Sequence, residues 1–157
     1  MYGVKVETYQ SNQRGIVAIL NYTTSISSDK TVSEIQAKLG NAGAQSVSTQ
    51  FIKGRPSAIF FALEIGEQLI NFRLPCNVQG VLGSLESDSK VPWRLKTTEQ
   101  AEKVSWRIIK DWVEAQLAII ESGQAQMAEV FLPYAITSNG QTCFERMATN
   151  PQLLLGQ

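Results

Sequence analysis

Apolar residues recur along this chain with two different periods, and the switch between them outlines the architecture. Between residues 45 and 74 the period is two. Val47, Thr49 and Phe51 alternate with Ser46, Ser48 and Gln50, residues 57–65 are apolar almost throughout, and Ile70, Phe72 and Leu74 alternate with Leu69, Asn71 and Arg73. The pattern predicts three β-strands over 45–53, 57–65 and 68–74, with the middle strand central in the sheet. Gly54-Arg55-Pro56 and Gly66-Glu67 supply the turns, and Pro75 ends the third strand. On both sides of this block the period is helical. Val32, Ile35 and Leu39 share one face, with Thr31 and Glu34 at capping-box spacing ahead of them and Gly40 as terminator. Asn77 caps a short helix that turns Val78, Val81, Leu82 and Leu85 inward. A polar loop over 86–92 leads to a long helix that starts at Thr97, again with capping-box spacing to Gln100, and ends at Gly123.

The long helix carries two apolar stripes. One is Ala101, Val104, Ile108, Ala115 and Ile119, and the other is Trp106, Ile109, Val113, Leu117 and Ile120. A helix apolar on two sides is central, or lies between a sheet and a neighbouring subunit. A shorter helix over 126–132 stops near Pro133, Ser138-Asn139-Gly140 is a turn, and Thr142 to Glu145 opens a last helical turn anchored by Phe144 and Met147. Upstream, residues 16–22 are β-rich and predict a strand, and Val4 and Val6 a short edge strand. The expected fold is α+β: an antiparallel sheet of three to five strands in helix–strand–strand–strand–helix order, packed against a long C-terminal helix, in one domain over residues 1–157.

Composition narrows the function more by exclusion than by assignment. There is no histidine, which removes Ser-His-Asp and Cys-His catalysis and zinc sites of the Cys₂His₂ type, and two cysteines cannot complete a Cys₄ site. No catalytic residue, metal site or cofactor is expected, and the chain is not read as an enzyme. Gly80-Val-Leu-Gly83 falls inside a helical pattern and is no dinucleotide fingerprint. Cys76 and Cys143 are expected as free thiols in a reducing compartment. Residues 1–15 hold no continuous apolar run, so neither a secretory signal nor a membrane span is expected, and the chain is placed in the cytoplasm. Charged residues make up 18 % of the chain, below the usual ~25 %, which suggests that a second copy or another partner covers part of the surface.

The formal net charge is zero, so attraction to nucleic acid must come from local patches. One stretch offers such a patch. Residues 90–110 hold Lys90, Arg94, Lys96, Lys103, Arg107 and Lys110 against Glu99 and Glu102, a local excess of four positive charges. Residues 111–129 hold Asp111, Glu114, Glu121 and Glu129 with no cation, an excess of four negative charges. Lys53, Arg55 and Arg73 form a second basic set on the strands. The candidate nucleic-acid contacts are therefore Lys53, Arg55, Arg73, Arg94, Lys96, Lys103, Arg107 and Lys110 for phosphates, with Trp93 as the exposed aromatic that could stack on a base. A plainer reading competes: Glu99 with Lys103 and Lys110 with Glu114 are i,i+4 pairs of an ordinary solvated helix face. Trp106 and Trp112 read as core, and Glu64 and Asp111 as partly buried carboxylates in structural salt bridges. The element order is shared with double-stranded-RNA-binding domains and, in part, with single-strand annealing proteins. Lys96 stands almost alone where the RNA-binding module clusters lysines, so that assignment is not carried across.

Several segments resemble a family of small proteins of bacteriophage and prophage origin. They are Thr31-Val-Ser-Glu-Ile35 leading to Leu39 and Gly43-Ala44, then Phe72-Arg-Leu-Pro75, the tryptophan-rich run from Val104 to Leu117, and Glu129-Val-Phe-Leu-Pro-Tyr134. The resemblance spans roughly residues 30–147 and implies a phage setting inside a bacterial host cell rather than a mechanism. Two functions follow as expectations. The first is a non-enzymatic, oligomeric nucleic-acid-binding protein that holds or anneals single strands in recombination or replication. The alternative is an anti-defence protein that binds and inhibits a host immune protein or sequesters a nucleotide signal.

Overall fold

The structure is a computed structural model, and it describes residues 18–155. Its centre is a three-stranded antiparallel sheet in the order β1 (Ser46–Ile52), β2 (Arg55–Ile65), β3 (Gln68–Pro75). Cross-strand partners follow the expected alternation. Val47 faces Phe61, Thr49 faces Ile59, Phe61 faces Phe72 and Ile59 faces Leu74, all on one side of the sheet. That side is covered by α1 (Ser28–Asn41), which lies across β1 and β2 and against α3 (Thr98–Glu121). Val32, Ile35, Leu39, Ile59, Phe61, Phe72, Leu74, Trp106, Val113 and Phe131 form the buried core. The fold is α+β, as the change of period predicts. No described helix is long and apolar enough to cross a membrane.

Turn geometry sets the hairpins. Lys53 and Gly54 both take positive φ (50° and 76°), so the first turn is Lys53-Gly54, one residue earlier than expected, and Arg55 already belongs to β2. Gly66 (φ 63°) makes the second turn as expected. Helix α1 starts ahead of its predicted cap. Ser27 is the N-cap and its Oγ accepts from the Lys30 amide. Thr31 is instead fully buried in the first turns and its hydroxyl donates to the Ser27 carbonyl. The left-handed residue after α1 is Gly43 (φ 108°), not Gly40, and α1 runs on to Asn41.

Helix α2 (Val78–Ser87) is capped by Asn77 as predicted, its Oδ1 accepting from the Gly80 amide at 2.9 Å. With the first turn of α3 it encloses a second apolar cluster of Leu85, Val91 and Ala101. Ala18, Ile19 and Tyr22 pack onto this cluster. The expected strand over 16–22 therefore fails across its described part. Residues 20–23 form a turn with Asn21 at φ 65°, and the backbone there has no strand neighbour among the described residues. Its carbonyls are satisfied by a side chain instead: Gln100 Nε2 donates to the Tyr22 and Thr24 oxygens at 2.8 and 2.9 Å. Gln100 thus ties down the N-terminal segment rather than reaching back to its own cap, while Thr97 caps α3 as predicted. The Val4–Val6 strand lies outside the described residues.

Helix α3 keeps only part of its two-sided apolar character. Ala101 and Val104 of the first stripe and Trp106 and Val113 of the second are buried, but Ala115 is exposed, so the first stripe fades after the opening turns. The Trp106 ring has no exposed surface, and its Nε1 has no acceptor among the described residues, so packing alone holds it. Past Gly123 (φ 75°), α4 (Met127–Phe131) and a short 3-10 turn (Leu132–Tyr134) close the open end of the core. An aromatic ladder links sheet and helices: Phe72 stacks on Phe61 at 5.0 Å, Phe61 meets Phe131 edge-on at 5.3 Å, and Trp112 meets both Phe131 and Tyr134 edge-on. The chain then runs along the outer edge of β3, where Ala135 bridges Phe72 and the Ile136 amide donates to the Asn71 carbonyl at 2.8 Å. Helix α5 (Cys143–Thr149) has the predicted Thr142 cap, with Glu145 completing a capping box. Phe144 is exposed rather than anchored, because α5 is only two turns long and lies on the surface. A final turn of helix, α6 (Gln152–Leu155), leaves Leu153, Leu154 and Leu155 exposed.

Candidate binding surface

The residues proposed for phosphate contact fall into two groups once their partners are known. Five of them meet carboxylates. Arg55, at the start of β2, reaches Glu102 on α3 at 2.6 Å. Arg73 on β3 reaches Glu145 on α5 at 2.6 Å. Lys103 pairs with Glu99 at 3.0 Å, one helical turn back. Arg107 crosses to Glu34 on α1 at 2.8 Å. Lys110 pairs with Glu114 at 2.5 Å, and Lys38 on α1 reaches the same carboxylate at 2.9 Å. Lys96 donates to the Glu86 carbonyl at 2.9 Å. Of the α3 cations, Arg107 crosses to α1 while Lys103 and Lys110 pair within the helix; Lys38 of α1 and Arg55 of β2 add links to the α3 carboxylates Glu114 and Glu102.

Two of these carboxylates are perturbed by their contacts. Hydrogen bonds from Lys110 and then Lys38 hold the Glu114 carboxyl below its usual range. Glu145 is lowered first by the Thr142 backbone amide at its cap and then by Arg73. Asp111 is half-buried and accepts from Asn21 Nδ2 at 2.7 Å, a neutral partner rather than the expected salt bridge. Glu64 is exposed, contrary to expectation, because it lies at the end of β2 next to the Gly66 turn.

Three of the candidates remain without a carboxylate among the described residues besides Lys96. Lys53 stands exposed in the β1–β2 turn. Trp93 and Arg94 stand in a 3-10 turn (Trp93–Leu95) between α2 and α3. Leu95 and Val91 on either side pack into the second apolar cluster and hold this turn, while the Trp93 ring projects with 86 % of its surface exposed. No other large apolar side chain among the described residues is so open. Pro92 fixes the entry to the turn, and the Leu95 and Lys96 amides donate to the Pro92 and Trp93 carbonyls. The ring is thus presented by an ordered turn.

Burial pushes the Cys76 thiol up to about 12, which keeps it protonated and a poor nucleophile. Cys76 and Cys143 are both free. Among the described residues no group of three metal-ligating side chains converges. Sequence reasoning had missed Glu34, Glu102 and Glu145 as the carboxylates that occupy the arginines, and Lys38 as a second cation on Glu114. Only the two pairs within α3 carried a signal in their spacing. Comparison with family models, with curated proteins and with solved structures finds no match for this chain.

Proposed function

We propose that the chain is a non-enzymatic protein-binding domain whose contact centre is the Trp93–Arg94 turn. The observation that carries this reading is the division between the two sets of side chains: five of the cations suited to phosphate are taken up by carboxylates, while Trp93 is held in solvent. Trp and Arg are among the residue types that most often anchor protein interfaces, Trp because it brings a large contact area with few torsions to freeze and Arg because its planar guanidinium both stacks and makes several hydrogen bonds. An ion pair already made must be broken before its cation can serve a phosphate, and that cost weakens any nucleic-acid grip built on this helix. The resemblance to phage and prophage proteins supports a bacterial host protein as partner and a role against host defence, in the cytoplasm.

Binding of single-stranded nucleic acid is the second reading, and one observation favours it. Trp93 and Arg94 adjoin in an exposed turn, a combination that also stacks on unpaired bases. The two readings part on a simple measurement. Anisotropy of a labelled single-stranded oligonucleotide at ~50 mM salt, where phosphate contacts are strongest, is expected to show no saturable binding. A salt-sensitive binding curve that disappears in Trp93→Ala would replace the protein reading with the nucleic-acid one. In parallel, affinity capture from bacterial lysate with wild type and Trp93→Ala is expected to yield a protein retained by the first and lost by the second. Identical captured sets would refute the role of the turn.

A further inference from the structure

The two edges of the sheet are treated differently. The outer edge of β3 is blocked at its middle, Asn71–Phe72, by residues 135–136. Along the outer edge of β1, no strand is paired among the described residues, and β1 is exposed or half-exposed throughout. Proteins usually blunt such an edge with a lysine, a proline or a bulge. Strand β1 reads Ser-Val-Ser-Thr-Gln-Phe-Ile and has no charge and no proline. The register shift in the β1–β2 hairpin puts its extra residue, Ser57, on β2 and leaves β1 regular. Phe51 and Ile52 are 56 % and 58 % exposed at its end. Between this edge and α1 lies an open groove of about 430 Å³ lined by Asp29, Val32, Ser33, Gln36, Thr49 and Phe51. Gln36 Nε2 donates to Thr49 Oγ1 at 2.9 Å and holds helix and strand together at the groove floor.

We infer that β1 is a dimerisation edge and that its occupant is β1 of a second copy of this chain, paired antiparallel about a two-fold axis at Thr49. Three observations select a second copy. First, the strand complements itself. Pairing about Thr49 sets Val47 opposite Phe51 of the partner copy on the helix-covered side, and Ser48 opposite Gln50 of the partner copy on the other, so apolar meets aromatic and polar meets polar. Second, among the described residues β1 is the edge left unpaired along its whole length, because residues 135–136 block the middle of the β3 edge. Pairing therefore closes at two copies in a continuous six-stranded sheet and does not run on into a filament. Third, the chain has zero formal net charge and β1 has none, so two copies meet without repulsion. The new pairing satisfies main-chain groups on the order of six hydrogen bonds and covers the exposed Phe51 ring. It is independent of any partner at the Trp93 turn.

The test uses the whole chain and two double variants at exposed positions. Wild type is expected to sediment at twice 17.3 kDa at ~100 µM, in the affinity range of a small interface. In S48K/Q50K, lysines oppose lysines across the axis, and dimerisation is expected to weaken at least tenfold with the circular dichroism spectrum unchanged. S48E/Q50E should behave alike. Mixing the two variants should restore the dimer, because each lysine then faces a glutamate. A wild type that stays monomeric at that concentration overturns the inference, and protected β1 amides in such a monomer would assign the edge to another segment of the same chain. Double variants that still dimerise, or a mixture that fails to, overturn it as well.

Discussion

Trp93 and Trp106 stand on either side of the start of α3 and share a sequence neighbourhood rich in Lys and Arg, yet their surroundings are opposite. Trp106 has no exposed surface and lies among α1, the sheet and α4; Trp93 is 86 % exposed. The cations beside them divide in the same way. Arg107 crosses from α3 to Glu34 on α1, whereas Arg94, in the turn with Trp93, meets no carboxylate among the described residues. A local excess of positive charge along a sequence is therefore no measure of the potential on a surface. What matters is which element each cation's neighbours come from. On α3 each of Lys103, Arg107 and Lys110 already has a carboxylate, and Arg107 ties the helix to α1, whereas the turn before it leaves its own side chains available.

The largest expected effect breaks the comparison from the buried side. Trp106→Ala removes the largest fully buried side chain in the core, at the junction of α1, the sheet and α4. A loss of about 3–5 kcal/mol is expected for a buried Trp→Ala change, read as a fall in the urea midpoint. Against a typical total of ~5–15 kcal/mol this leaves the domain marginal. A loss below about 1 kcal/mol would mean that the ring does not support the core.

Of the fold, what repeats within one element was legible and what depends on two elements meeting was not. The strand alternation from Val47 to Leu74 gave the sheet, because burial on a pleated surface enforces a period of two. Asn77, Thr97 and Thr142 announced their helices, since a cap needs only the residues that follow it. Ala18, Ile19 and Tyr22 misled, because an apolar run laid over a subsidiary cluster has the same composition as a strand. In α1, Ser27 and Thr31 both precede apolar residues and only packing decides between them: Thr31 is buried against the core and Ser27 is left to cap. For the candidate site, the pairs Glu99–Lys103 and Lys110–Glu114 could be read from spacing, as both lie on one helix. Arg55–Glu102, Arg73–Glu145 and Arg107–Glu34 join distant segments, and no local pattern reveals them. The exposure of Trp93 was suggested by its place between Pro92 and Arg94, outside any apolar stripe.

A middle-sized effect tests whether the helix cations are structural. Arg107 is largely buried along its stem, and Arg107→Ala removes both its packing and its bond to Glu34. The expected loss is about 1 kcal/mol. Arg94→Ala, in the exposed turn, should leave stability unchanged. Equal losses from the two substitutions would erase the distinction between helix and turn, and denaturant midpoints measured side by side decide it.

A smaller effect depends on pH. The folded-state carboxyl of Glu114 lies below its usual value, chiefly through hydrogen bonds from Lys110 and Lys38. A depressed carboxyl contributes stability that is fully present above its unfolded value, near 4.5, and that is lost as pH falls through the folded value. Glu114→Gln should therefore be less stable than wild type at neutral pH and converge with it in acid. With Lys38 and Glu114 both more than a third exposed, screening limits the difference to about 0.5 kcal/mol. A gap that widens below the usual carboxylate range would contradict the assignment.

The smallest effect belongs to Trp93. A ring so exposed supports no core, so Trp93→Ala should shift stability by no more than about 0.5 kcal/mol, the usual range for a surface change. A null result alone says little, and fluorescence gives it content. Trp106 is buried and Trp112 half-buried against Phe131 and Tyr134, so Trp93 supplies the emission most open to water. Removing it should move the emission maximum to shorter wavelength and abolish the fraction readily quenched by acrylamide, with the denaturation midpoint unmoved. A variant that loses stability while keeping its quenchable fraction would show that the Trp93 ring is covered in the folded chain. The contrast with Trp106 would then vanish, and with it the ground for placing a partner at this turn.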